Sequence, residues 1–293
     1  YNTINECIKG GVMMVKTSGK IMVIMCFVAL LIIGNKKVEV KAETMRESEP
    51  NNTIETSNII TRNDETAYGA ANGTYDGQSV VYGYSSKDDI DFYKVYLYQG
   101  INYMTCNDHD FEYEITGKDG TLIQKGIYKD LNIFGPTAYK VDIPRTDYYY
   151  IKINGCSSKS ESYLFLIGSP TYSVNNYSVK CTEGTVSMTQ SNGNKIVHFD
   201  LTSVEDIPKD AIVYSVSMFG IRTTAVKSIK LKNEKDKKEI LLEKYVWNKK
   251  ALIAMEMPAV STWSAILEYN KNISFIPTLR VDYAYPVYNT MIQ

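Results

Sequence analysis

Histidine and cysteine are scarce in this sequence. Its 293 residues include two histidines and five cysteines, and Cys7 and Cys26 lie in the first forty positions. The remaining Cys106, Cys156 and Cys181 are an odd set, which allows at most one bridge, from Cys156 to either Cys106 or Cys181. No Cys-x-x-Cys spacing is present, which argues against zinc. His109 and His198 stand far apart in the chain. His109 lies in the polar string Asn107-Asp108-His109-Asp110, where Cys106 is near but no third group orients a nucleophile pair. There is no GxSxG, no HExxH and no phosphate-cradling glycine loop. The chain therefore reads as non-catalytic.

Long apolar runs are missing too. Residues 21–34 form an apolar run of 14, short of the roughly 20 that a membrane-spanning helix needs, so no stable membrane anchor is expected. Lys16 and Lys20 precede that run and Val40-Lys41-Ala42 follows it, the layout of a secretory signal peptide. Residues 1–42 are accordingly set aside as signal peptide and leader. Residues 1–12, ahead of Met13-Met14, read either as untranslated or as a long n-region. Export is the expectation. Removing the leader's 6 Lys/Arg and 2 Asp/Glu from the totals of 32 and 33 leaves 26 basic and 31 acidic residues, a net charge of −5. That balance gives no footprint for nucleic acid.

What the chain has in quantity is tyrosine, 24 residues, a composition suited to pleated surfaces. Short alternating runs recur every eight to fifteen residues between turn signals, so the fold class is all-β, with two β-sandwiches of jelly-roll or Greek-key type. Residues 43–66 read as an acidic linker with a short helix at 53–60. Residues 67–169 form the first sandwich, with strands and tight turns over 68–84 and a hairpin turn at Gly117-Lys118-Asp119-Gly120. Residues 170–293 form the second, with strands that include 177–188, 239–245 and 251–257. Trp247 and Trp263 are placed in its core or between the sandwiches.

The most informative stretch is 85–100, SSKDDIDFYKVYLYQG. Asp88, Asp89 and Asp91 crowd a turn, and from there Tyr93, Val95 and Leu97 alternate with Phe92, Lys94 and Tyr96 as in a half-buried strand. Three carboxylates this close need water, donors or a cation. With Glu47, Glu49, Asn51 and Asn52 folded over Asp89 and Asp91, the oxygens for a calcium ion are assembled. The competing reading is a solvated strand end beside a disordered linker.

These residues carry a resemblance. Glu49-Pro50-Asn51-Asn52, then Asp89-x-Asp91-x-Tyr93-x-Val95-x-Leu97-x-x-Gly100, then Lys118-Asp119-Gly120, then Tyr148-Tyr149-Tyr150-Ile151 and Tyr163-x-Phe165-x-Ile167, resemble the bacterial pre-peptidase C-terminal domain. That family includes the collagen-binding domains of clostridial collagenases. The resemblance spans about residues 45–168 and implies that the acidic positions are calcium ligands. Asn52 stands where the family usually has Asp, which removes one anionic ligand, and Asp147 stands where a Gly usually precedes the paired aromatics.

Tyr96 and Tyr98, and Tyr148 and Tyr150, share sheet faces on which a ligand could rest; the alternative is that they cover the sandwich or meet the second half. The expected function is calcium-dependent attachment to an extracellular or cell-surface macromolecule, protein or polysaccharide. The alternative is an accessory or chaperone partner of a secreted peptidase.

Overall fold

The computed structural model describes residues 14–17, 20–23, 42–130, 136–189, 193–222 and 224–288. The chain forms two compact units, Tyr1–Glu39 and Val40–Gln293. In the first, β1 (Met14–Thr17) pairs antiparallel with β2 (Lys20–Val23). Of the expected signal-peptide run only residues 21–23 are described; the rest, with Val40 and Lys41, lies outside the described residues. Among the described residues no helix is long and apolar enough to cross a membrane.

The larger unit opens with β3 (Glu43–Arg46), β4 (Asn58–Ile59) and a helix, α1 (Ala67–Asn72). Eight strands follow: β5 (Ser79–Ser85), β6 (Ile90–Leu97), β7 (Gly100–Asp108), β8 (Phe111–Gly117), β9 (Leu122–Tyr128), β10 (Thr137–Ile143), β11 (Asp147–Gly155) and β12 (Glu161–Gly168). They form two five-stranded sheets, ordered β10-β7-β12-β5-β3 and β4-β6-β11-β8-β9. Numbering the eight from the first, one sheet holds strands 1-8-3-6 and the other 2-7-4-5, which is the jelly-roll order. The core between them is aromatic and aliphatic, with Tyr93, Val95, Leu97, Met104, Phe111, Ile115 and Phe165 all but fully buried.

The second half repeats the order. Its strands are β13 (Tyr172–Lys180), β14 (Val186–Met188), β15 (Gly193–Asp200), β16 (Ile212–Phe219), β17 (Val226–Asn233), β18 (Glu239–Leu241), β19 (Asn248–Lys249), β20 (Thr262–Tyr269), β21 (Ile273–Phe275) and β22 (Thr278–Pro286). The sheets are β13-β22-β16-β19 and β15-β20-β17-β18, with β14 and β21 as a small separate pair. Setting that pair aside, this is again 1-8-3-6 against 2-7-4-5. Trp247 and Trp263 are both buried in this core.

Several local expectations need correction. Residues 43–66 are no linker: β3 runs parallel to β5 in one sheet and β4 parallel to β6 in the other. Residues 53–56 make a turn rather than a helix. The helix lies instead at α1, inside a stretch read as strands. Thr66 caps it by accepting from the Gly69 amide, and Gly73 ends it with φ of 69°. The stretch 177–188 is split between β13 and β14, and β18 ends at Leu241. Residues 251–257 are not a strand, because Ala251 and Glu256 have φ of 57° and 49° around a short 3₁₀ turn. All three cysteines of the larger unit are free thiols.

Candidate metal centre and aromatic face

The acidic turn feeds β6, whose inner positions are Asp91, Tyr93, Val95 and Leu97. Alternation thus places a carboxylate on the core side of a strand, and Asp91 is fully buried. The N-terminal segment meets it there. Beyond β3, the Glu47 amide still donates to the Tyr82 carbonyl at 3.0 Å. The chain then crosses through a cis Glu49–Pro50 bond to the other sheet, where the Asn51 carbonyl accepts from the Phe92 amide at 2.8 Å.

This crossing gathers Glu49, Asp89 and Asp91, each with a carboxylate oxygen within 4.8 Å of the others. Asn51 is fully buried beside them, and its backbone amide donates to Glu49 Oε2 at 2.9 Å. Its side-chain oxygen also faces the acids. With the amide atoms swapped, the nitrogen would donate to Asp91 Oδ1 and Glu49 Oε2, both at 3.0 Å. The swapped orientation is the one the hydrogen bonding favours, so in the cation-free chain Asn51 donates to both carboxylates, and it offers its oxygen to a cation only by turning the amide over.

Glu47 closes the cluster from the first sheet. Its Oε1 accepts from the Tyr84 amide at 2.8 Å, and its Oε2 accepts from the Tyr163 hydroxyl at 3.2 Å. Tyr163, from β12, also donates to Asp91 Oδ2 at 2.8 Å and lies 2.5 Å from the Tyr93 hydroxyl. One proton cannot serve two carboxylates fully, so the cluster stays short of donors. Asn52 is placed differently: exposed, it donates through Nδ2 to Asp89 Oδ1 at 3.1 Å, so it steadies Asp89 from outside. Among the described residues, none of Glu47, Glu49, Asp89 and Asp91 has a Lys or Arg partner.

The electrostatics follow. Burial, then the charges of Glu47, Asp89 and Glu49, push Asp91 up to about 7 against the opposing Tyr163 hydrogen bond. Glu47 is also raised, by burial first and by Glu49 and Asp89 after it, although the Tyr84 amide and Tyr163 hydroxyl pull the other way. A hard cation would reverse the balance, since it stabilises the ionised form of every ligand.

Two residues of this centre are not among the candidate ligands read from the sequence. Tyr163 is the first; a hydroxyl on the inner face of a strand, in line with Phe165 and Ile167, needs a buried partner, and that was the available signal. Gly83 is the second. A Cβ there would stand 2.4 Å from both Glu47 Oε2 and Tyr163 Oη. An isolated glycine inside the alternating strand β5 is the mark of such a close approach.

The candidate tyrosines lie on the outer face of the β4-β6-β11-β8-β9 sheet. Tyr96 pairs with Tyr148 across β6 and β11, ring centroids 5.1 Å apart, and Tyr98 lies 5.9 Å from Tyr96. Tyr96, Tyr98 and Tyr148 are 43%, 51% and 45% exposed. Tyr150 is half-buried and joins through Lys94, whose Nζ lies 4.8 Å from the Tyr148 ring centre and 5.8 Å from that of Tyr150. The histidines are elsewhere. His109 Nδ1 is 3.0 Å from Asp108 Oδ1, and His198 Nδ1 is 2.7 Å from Glu183 Oε1. Cys106, near His109 in sequence, is buried in the core.

No family model matches the chain, and no curated protein matches it. Among solved structures, a chain from Eubacterium rectale whose name proposes that it is secreted aligns over 87% of this chain and 85% of its own, with 11% identity and a TM-score of 0.53. The shared property is the fold: an all-β protein of paired sheets. The major capsid protein P2 of bacteriophage PM2 covers 72% of this chain and 99% of its own at 10% identity, and the exported protein XepA of PBSX 70% and 84% at 10%. Their TM-scores of 0.23 and 0.22 carry no fold argument.

Proposed function

We propose that this is an exported binding protein in which a calcium ion at Glu47, Glu49, Asn51, Asp89 and Asp91 locks the N-terminal segment onto the first jelly roll. The lock holds an aromatic face in shape for an extracellular macromolecule. The observation that carries the reading is the gathering of Glu49, Asp89 and the fully buried Asp91, with carboxylate oxygens within 4.8 Å of one another and no Lys or Arg partner among the described residues. Calcium takes six to eight oxygens with loose geometry, which mixed carboxylate and amide donors supply with water completing the shell. Magnesium, with its stricter octahedron, suits the set less well. The resemblance to the pre-peptidase C-terminal domain supports the same assignment, and the name of the Eubacterium rectale structure supports export.

Calorimetric titration of the chain lacking residues 1–42 with calcium, and separately with magnesium, tests the reading. Saturable calcium binding accompanied by a higher unfolding temperature is expected. Absence of both would overturn it.

A further inference from the structure

We infer that the outer face of the β4-β6-β11 sheet binds an acidic polysaccharide, its sugar rings resting on Tyr96 and Tyr148 and a uronate carboxylate paired with Lys94. The inference rests on the binding reading above and names the class of macromolecule. Lys94 is the key. It projects from mid-strand β6, half-buried, directly across from Tyr150 in the ladder. Its neighbours are aromatic faces, and among the described residues no carboxylate pairs with it. Lys152, two ladder positions away on the same face, has Glu114 at 4.0 Å; Arg62, over the Tyr98 ring at 4.6 Å, is paired with Asp64. A cation held by rings and left without a counter-ion is a receptor for an anion.

The shape decides between polymers. Residues 148, 150, 152 and 154 of β11 line one face and run from the tyrosines to a depression of about 380 Å³ lined by Glu112, Glu114, Lys125, Lys152 and Asn154. At about 3.4 Å per residue this track is roughly 20 Å long. It is the face of a sheet rather than its edge. The amides and carbonyls of β11 are committed to the ladders with β6 and β8, so an extended peptide finds no strand to pair with. What the β6 end of the face offers is rings, phenol hydroxyls and, at Lys94, an ammonium with no carboxylate partner among the described residues. A chain of pyranose rings uses all three: apolar ring faces on tyrosine, hydroxyls to the phenols, carboxylate to lysine.

The test uses the chain lacking residues 1–42, with hexagalacturonate, its methyl ester and a collagen-type triple-helical peptide as probes, each titrated in calcium and in chelator. Saturable binding of hexagalacturonate is expected, weakened by salt as an exposed ion pair requires. The methyl ester should bind at least about fivefold more weakly, and Lys94→Gln should remove that difference while Lys94→Arg keeps it. Tyr148→Ala should weaken both sugars by at least about fivefold, with its fold checked by circular dichroism. No binding of hexagalacturonate, equal binding of acid and ester, or preference for the triple-helical peptide would each overturn the assignment. Sugar binding that persists unchanged in chelator would sink the calcium lock and leave the glycan assignment standing.

Discussion

If Asp91 is both a calcium ligand and a carboxyl pushed up to about 7, calcium and a proton compete for it. At pH 7 the calcium-free chain holds about half a proton on Asp91, and binding must expel it. Between pH 7.5 and 5.5 the ionised fraction falls from about three quarters to about 3%, so apparent calcium affinity should drop about 25-fold from this residue alone. Glu47, raised in the same direction, adds to the drop. Calorimetry at pH 7 in two buffers of different ionisation enthalpy measures the protons released, expected near half per calcium. Equal affinity at the two pH values, or no proton release at pH 7, would refute the burial of Asp91 among like charges as the organising feature of the centre.

The same group makes the calcium-free fold pH-sensitive with a definite sign. The unfolded chain gives up the Asp91 proton near pH 4 and the folded one near 7. Between those values the fold binds more protons, so its stability without calcium should fall as pH rises through that window, by about 4 kcal/mol at most; thermal melts in chelator from pH 4 to 8 measure it. Asp91→Asn removes that penalty and a ligand together, so it should melt several degrees higher than the parent in chelator at pH 7 and gain nothing from calcium. Gly83→Ala places a methyl against Glu47 and Tyr163 and should cost about 1–3 kcal/mol in urea unfolding while abolishing the calcium increment. Asn63→Ala leaves the Ser79 amide and Ser169 carbonyl without the side chain that bridges them. A loss of about 2 kcal/mol is expected by the same assay.

Local alternation made β6 readable, because Tyr93, Val95 and Leu97 face the core as their spacing implied. The turn at Gly117 to Gly120 was readable for the same reason: Gly120, with φ of 78°, marks the reversal between β8 and β9. Glu49, Asp89 and Asp91 could be grouped from the sequence because acid density is visible there. Tyr163 could not, since the residue that closes the centre lies 72 positions beyond Asp91 and is brought in by strand order alone. The strands within 43–66 are not legible in the sequence because two- and four-residue strands carry too little periodicity; they form through parallel pairing with β5 and β6. Helix α1 escaped because six residues give no helical period, and its signals were only the Thr66 and Gly73 caps.

The crossing of the N-terminal segment from one sheet to the other has a consequence for how copies of this protein meet. β3 and β4 are short, yet they cover the outer edges of β5 and β6, one in each sheet. Should the segment lift away, both edges open at once, and an open edge accepts any strand of matching register. The best match in solution is the same segment of a neighbouring molecule. Calcium-starved chains at high concentration should therefore exchange their N-terminal arms and form reciprocal dimers, which calcium added beforehand prevents and calcium added afterwards traps.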